Sequence, residues 1–322
     1  MIALRAIPFS FNILWQYIIV FPIMVCGLAG LSFLAIIVAF QLFFRSGSSE
    51  AGAFAVGALF VTLLAAIYSF PMLIGMRLGL TTRGHKPAGN FWSLIIPASG
   101  YGLLVGLMTA LISLALAFFY MRSISMSVTD IRVLFENASP GYIARYMLSD
   151  IPLLVKFAVI GWVIFTAFYA ALLVPLASVA IGRDPSGNPH TPFAGFGAGF
   201  VPLLALVLLG YTLSEISVPA TEWFAGLIGQ GDRLAGILTI IDLMADDQIP
   251  LHWNWEIGTV LIMGLIFWLW TISLLSAGAT LVYIDRFDKH KAERAERMKV
   301  ERLAPEEARA LWKQRMPGHA PT

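Results

Sequence analysis

Phe168-Tyr-Ala-Ala-Leu-Leu-Val-Pro175 continues as an apolar run to Ile181 and then changes character at Gly182-Arg-Asp-Pro-Ser-Gly-Asn-Pro-His-Thr-Pro192. A helix that is apolar on every face needs lipid or a deep core around it, and clustered Gly and Pro end it. The stretch therefore reads as a membrane helix running out into a rigid polar turn. A fainter copy lies upstream, where Tyr68-Ser-Phe-Pro71 leads through Gly75, Arg77 and Gly79 to Thr81-Thr-Arg-Gly-His-Lys-Pro87. Each copy carries a Tyr, a Pro soon after it, and a basic turn with His and Pro. The echo suggests an internal repeat, residues 53–152 and 153–256.

The rest of the chain agrees with a membrane setting. Of its 322 residues 58% are hydrophobic and only 12% charged, with a mean hydropathy of +0.80. About 20 apolar residues cross the roughly 30 Å hydrocarbon core. Six runs qualify: Trp15–Phe44, Ala53–Leu80, Leu94–Tyr120, Leu153–Ile181, Ala194–Glu215 and Ile257–Ile284. They lack the alternation of a membrane barrel strand, and backbone groups in lipid must bond within their own segment, so helices are the solution. The expected fold is all-α: a polytopic integral membrane bundle of six transmembrane helices over residues 1–284, then a charged cytoplasmic helical tail, 285–322. The first run is too long for a signal-peptide core and reads as an uncleaved span. Cys26 is the only cysteine, which excludes an internal disulfide or a cysteine-based metal cluster.

Charge orients the bundle. With the amino terminus inside, 15 of the 21 Lys and Arg fall on the inner side, 10 of them in the tail. The positive-inside rule then places both termini in the cytoplasm, in what reads as a bacterial inner membrane. Two outer loops are long enough for structure of their own. Thr129-Asp130 and Ser139-Pro140 can each start a short amphipathic helix in the first, and Ser217-Val-Pro219 and Asp232 can do so in the second. In the tail, Asp285/Lys289 and Glu293/Arg297 are acid-to-base pairs four residues apart, which carry the last helix onward. Pro305-Glu-Glu307 is expected to open a further short helix.

Chemistry is sparse. No ionisable residue stands near the middle of a predicted span, whereas proton relays and ion-coupled carriers keep such residues there. Arg77, Lys156 and Glu215 are expected to snorkel from span ends. Phosphate-loop, zinc-protease and nucleophile-elbow patterns are missing, and nothing recommends nucleic-acid binding. Were the two inner turns to lie side by side, Arg83, His85, Lys86, Arg183, Asn188 and His190 would form a cluster able to bind phosphate or an anionic lipid headgroup; as topology determinants the same residues need no ligand. Leu311 and Trp312 are the candidates for docking a protein partner through the tail. Gly75-x-x-x-Gly79, Gly102-x-x-x-Gly106 and Gly195-x-x-x-Gly199 permit close helix approach, and Pro22, Pro71, Pro97, Pro175 and Pro202 permit kinks. No cofactor and no metal is expected. The reading is a non-catalytic accessory, scaffold or assembly protein of a membrane complex, with membrane lipids around it and a partner bound through the outer loops or the tail. The alternative is a lipid or small-molecule carrier that works without buried charged residues.

Overall fold

The computed structural model describes residues 2–46, 69–123, 151–227 and 255–315, and these are helical apart from the connections between helices. Helix α1 is Ile2–Ser46; α2 is described over 69–82; a 3-10 turn, Phe91–Leu94, leads into α3, Ile95–Ser123. Helix α4 is Ile151–Ile181, α5 is Phe200–Leu227 and α6 is Trp255–Arg315. Among the described residues four stretches are long and apolar enough to cross a membrane: Ile2–Gly30, Phe91–Tyr120, Val155–Ile181 and Ile262–Met298. Their outer faces carry exposed large apolar side chains, among them Ile19, Ile96, Trp162 and Ile266. Water would reject such a belt, and lipid accepts it. The protein is a membrane-embedded helical bundle.

Helix α6 is the hub, packing on α1, α4 and α5 and, through Ser276 and Thr280, on α2. Buried side chains of all six helices, from Ile13 and Tyr17 through Phe70, Leu172 and Leu203 to Tyr283, form one core. Glycine sets how closely its helices approach. A Cβ on Gly75 would lie 2.3 Å from the Tyr17 hydroxyl and 2.6 Å from Ser276 Oγ, and one on Gly79 would lie 2.7 Å from Thr280 Oγ1. Gly75 and Gly79 are one turn apart, as are Ser276 and Thr280, so α2 and α6 run parallel along a seam of small residues. The Gly75-x-x-x-Gly79 motif is thus an internal packing contact.

Several expected boundaries move. Helix α1 starts at Ile2, not Trp15, because the amino-terminal residues continue the same helix with Pro8 and Pro22 inside it. The fifth run does not begin as helix at Ala194: residues 192–199 form successive turns, and α5 starts at Phe200. Ser217-Val-Pro219 opens no separate helix, since Pro219 lies inside α5. Pro305 likewise falls within α6, which continues unbroken to Arg315, so the tail as far as Arg315 is one helix with the last span. Pro97 and Pro202 stand in the first turns of α3 and α5, where the missing N–H costs little. The first part of the Ala53–Leu80 run, and the outer-loop helices expected from Thr129, Ser139 and Asp232, lie outside the described residues.

Candidate functional site

Helices α2 and α4 end in the same way. Gly84 has φ +85 and Gly182 φ +82, left-handed values that glycine adopts without strain. His85 N–H donates to Leu80 C=O at 3.1 Å and Arg183 N–H to Ser178 C=O at 3.1 Å, each reaching back five residues. Both are Schellman caps with glycine just past the helix. The two turns also touch, because Ala88 N–H donates to Ile181 C=O at 3.1 Å. The side-by-side arrangement on which the basic cluster depended is present.

The last four carbonyls of a helix lack partners within it, and all four of α4 are satisfied here. Ser178 and Val179 receive the N–H groups of Gly182 and Arg183, and Ile181 receives Ala88. Ala180 C=O accepts from Arg77 Nε at 2.7 Å. The same guanidinium donates through Nη1 to Gly89 C=O at 3.0 Å and to Asn90 C=O, and it lies 5.8 Å from the Phe91 ring centroid. Arg77 is only 4% exposed. It does not snorkel to water, because three backbone acceptors within the bundle take its hydrogens. Cations complement the negative end of a helix dipole, which is where Arg77 stands.

Two tyrosines hold the second turn. The Tyr283 hydroxyl of α6 sits 3.0 Å from Arg183 C=O and 3.1 Å from Asp184 C=O. The Tyr101 hydroxyl of α3 donates to Pro192 C=O. Within the turn, Asp184 accepts from Ser186 Oγ at 2.7 Å and from Asn188 N–H at 2.8 Å. Arg183 and Pro189 form an antiparallel bridge. These are the side-chain-to-backbone bonds by which Asp and Ser build turns.

From Thr191 the chain turns back along α4 as a ribbon of overlapping turns. Phe196 N–H bonds to Phe193 C=O, Ala198 to Gly195 and Phe200 to Gly197. The third residues of these turns are Gly195, Gly197 and Gly199, at φ +79, +71 and +62. Turns of this kind need positive φ at that position, which explains the alternation Gly-Phe-Gly-Ala-Gly. Gly195 and Gly199 are therefore turn formers, not a helix-packing pair. The ribbon docks through Pro175. Proline cannot donate to the carbonyl four residues back, and that carbonyl, Ala171 C=O, accepts from Gly197 N–H at 3.1 Å. The carbonyl that Pro175 leaves unpaired is thus the ribbon's anchor.

The six residues of the expected basic cluster share this end of the bundle without converging on one point. Arg83 lies over the Phe9 ring of α1 at 4.8 Å. His85 packs edge-on against Phe287 at 5.0 Å and Tyr283 at 5.9 Å. Arg183 anchors Tyr283 through its backbone, and Asn188 is tied into the Asp184 turn. Lys86 and His190 are exposed. Leu311 and Trp312 fall within α6, and their side chains lie outside the described residues. Among the described residues no three His, Cys, Asp or Glu side chains converge in a way that could hold a metal.

Sequence reasoning missed the roles of Arg77, Tyr101 and Tyr283, whose acceptors Ala180, Pro192 and Arg183 lie 103, 91 and 100 residues away, beyond the reach of local patterning. It also missed a polar cavity of about 230 Å³ between the Asp184 turn, the ribbon and α6, lined by Asp184, Ser186, Thr191, Arg286 and His290 together with the small residues of the ribbon. No family model, curated protein or solved structure matches the chain.

Burial beside the Phe287 and Tyr283 rings lowers the His85 pKa, and Asp288 pulls in the opposite direction. The unfolded chain, at about 6.5, then takes up a proton before the folded one does. Stability is full above that value and falls as the pH drops through it toward the lower folded pKa. Thermal unfolding in detergent is expected to occur at a lower temperature at pH 5.5 than at pH 7.5. His85→Phe keeps the aromatic contact and removes the proton site, so the interval between the two temperatures narrows. An unchanged interval would assign the pH sensitivity to other groups.

Proposed function

We propose that the chain is a non-catalytic accessory or assembly protein of a membrane complex, with six spans, both termini in the cytoplasm of a bacterial inner membrane, and the far part of α6 as its docking arm. The observation that carries this reading is the continuity of α6. Its first part is buried in the core through Leu274, Ala277 and Tyr283, and its second part alternates acids and bases from Asp285 onward. At 1.5 Å per residue, the stretch from Asp285 to Arg315 extends about 45 Å. A helix rooted in the bundle by its apolar half transmits position along its length, which suits a tether or platform.

The root is firm at the point of exit. His85 and Phe287 are in contact, and Gly187 lies close to Phe287 and Arg294. A truncation that removes Lys299 to Thr322 spares all of these contacts. It is expected to leave the unfolding temperature of the bundle unchanged while releasing the protein that otherwise co-purifies with the chain after gentle extraction. Native mass spectrometry of full-length and truncated protein reads both. A partner retained in full by the truncated chain, or full-length protein that extracts with no partner at all, would overturn the proposal.

A further inference from the structure

The cavity beside the Asp184 turn brings an acidic and a basic side chain to one space. Its walls come from three separate parts of the chain: Asp184 and Ser186 of the turn, Thr191 and Ala198 of the ribbon, and Arg286 of α6. Opposite charges thus face one space, and no ion pair ties Arg286 to another described residue. At about 230 Å³ it is smaller than the roughly 300–1,000 Å³ sites that enclose a whole drug-sized ligand. It suits a compact head whose remainder lies outside.

The surroundings say where that remainder goes. Ala194, Gly195 and Ala198 line the cavity, while Phe193 and Phe196 on the same ribbon are 55% and 50% exposed and pack edge to face at 6.2 Å. Val201, at the start of α5, is exposed as well. A polar cavity bordered by exposed apolar side chains of a membrane protein has the layout of a lipid site, with the head inside and the chains along the ribbon. We propose that it holds the head of a zwitterionic phospholipid bearing a primary amine, with the phosphate on Arg286 and Thr191 and the ammonium at Asp184.

Two features select this head over its relatives. An anionic lipid without an amine would meet Arg286 but leave Asp184 facing a phosphate or hydroxyls, with Glu293 held nearby at 3.4 Å from His290. A quaternary amine carries no N–H to donate to Asp184, whose oxygens already accept from Ser186 and Asn188 and retain further acceptor capacity. A primary ammonium supplies the donors and the charge together.

The test titrates detergent-purified full-length protein with short-chain phosphatidylethanolamine, phosphatidylglycerol and phosphatidylcholine, and with inorganic phosphate alone, reading bound species by native mass spectrometry. Phosphatidylethanolamine is expected to bind at least about tenfold more tightly than either other lipid, the loss of one charge-assisted contact being of that order. Arg286→Gln, on an exposed part of α6 that holds no turn, should weaken it by about tenfold. Asp184→Asn should erase the preference over phosphatidylcholine while retaining phosphate-directed binding. Circular dichroism checks that both variants keep their helix content. Equal binding of all three lipids, undiminished binding by the Arg286→Gln variant, or displacement of the lipid by inorganic phosphate would each overturn the assignment, the last by making a free anion the ligand.

Discussion

Replacing Arg77 by Met lowers the stability of the bundle by about 4 kcal/mol, taken as three charge-assisted bonds at roughly 1.5 kcal/mol or more each, less partial relaxation. The methionine fills much of the volume but leaves the carbonyls of Ala180, Gly89 and Asn90 without the guanidinium that now donates to them. Ala180 C=O is the most exposed to this loss, because the remaining three end carbonyls of α4 use backbone donors of their own. The effect reaches beyond one residue: Arg77 joins α2, the end of α4 and the turn that starts α3. Thermal unfolding in detergent should shift down by on the order of 10 °C for a loss of that size. Arg77→Lys is expected to recover part of it, since an ammonium can reach one or two acceptors but lacks the planar fork that spans three. A shift of only a degree or two for Arg77→Met would mean that water replaces the guanidinium, and that the side chain snorkels after all.

That contrast marks how much of the molecule is legible in the order of its residues. The class of fold follows from long apolar runs, and the ends of α2 and α4 follow from Gly84 and Gly182 with Pro87 and Pro185 three residues on, because glycine caps and proline stops act locally. The start of α5 does not follow. Ala194, Phe196 and Ala198 count as apolar in any hydropathy sum, whereas the decisive property at Gly195, Gly197 and Gly199 is a backbone angle. Nor does Pro219 or Pro305 end a helix here, although each carries the local signal for a new start; helix α5 and helix α6 run through them. For the polar end, the neighbourhood of the two basic turns was readable from their shared composition. The groups that fasten them were not, since Arg77 meets Ala180 and Tyr283 meets Arg183 only once the bundle has assembled.

Gly75→Ala is expected to loosen the bundle although it adds a single methyl group. Its Cβ would stand 2.3 Å from the Tyr17 hydroxyl and within 2.6 to 3.0 Å of Ser276, distances that require something to move. Both neighbours are themselves engaged, Tyr17 with Pro71 C=O at 2.5 Å and Ser276 with Met72 C=O at 3.3 Å, so relief comes only by breaking a bond or parting α1 or α6 from α2. Overpacking of a close-packed core costs about 1–3 kcal/mol, and one displaced hydrogen bond adds roughly 1 kcal/mol. A loss of about 2–4 kcal/mol is expected, against which the better helix propensity of alanine, at most about 1 kcal/mol, is too small to compensate. Gly100→Ala is the control: nothing lies within 4 Å of its Cβ, and there the propensity gain should show as a small stabilisation. Gly79→Ala belongs between them, because its main obstacle, Thr280 Oγ1, is a hydroxyl without a hydrogen-bond partner among the described residues and can rotate away. The seam itself is tested by the Gly75→Ala, Tyr17→Phe double variant. Removing the hydroxyl takes away the closest contact, so the two changes together should cost less than their sum. Strict additivity would place the strain of Gly75→Ala on Ser276 and α6 and leave α1 free of it.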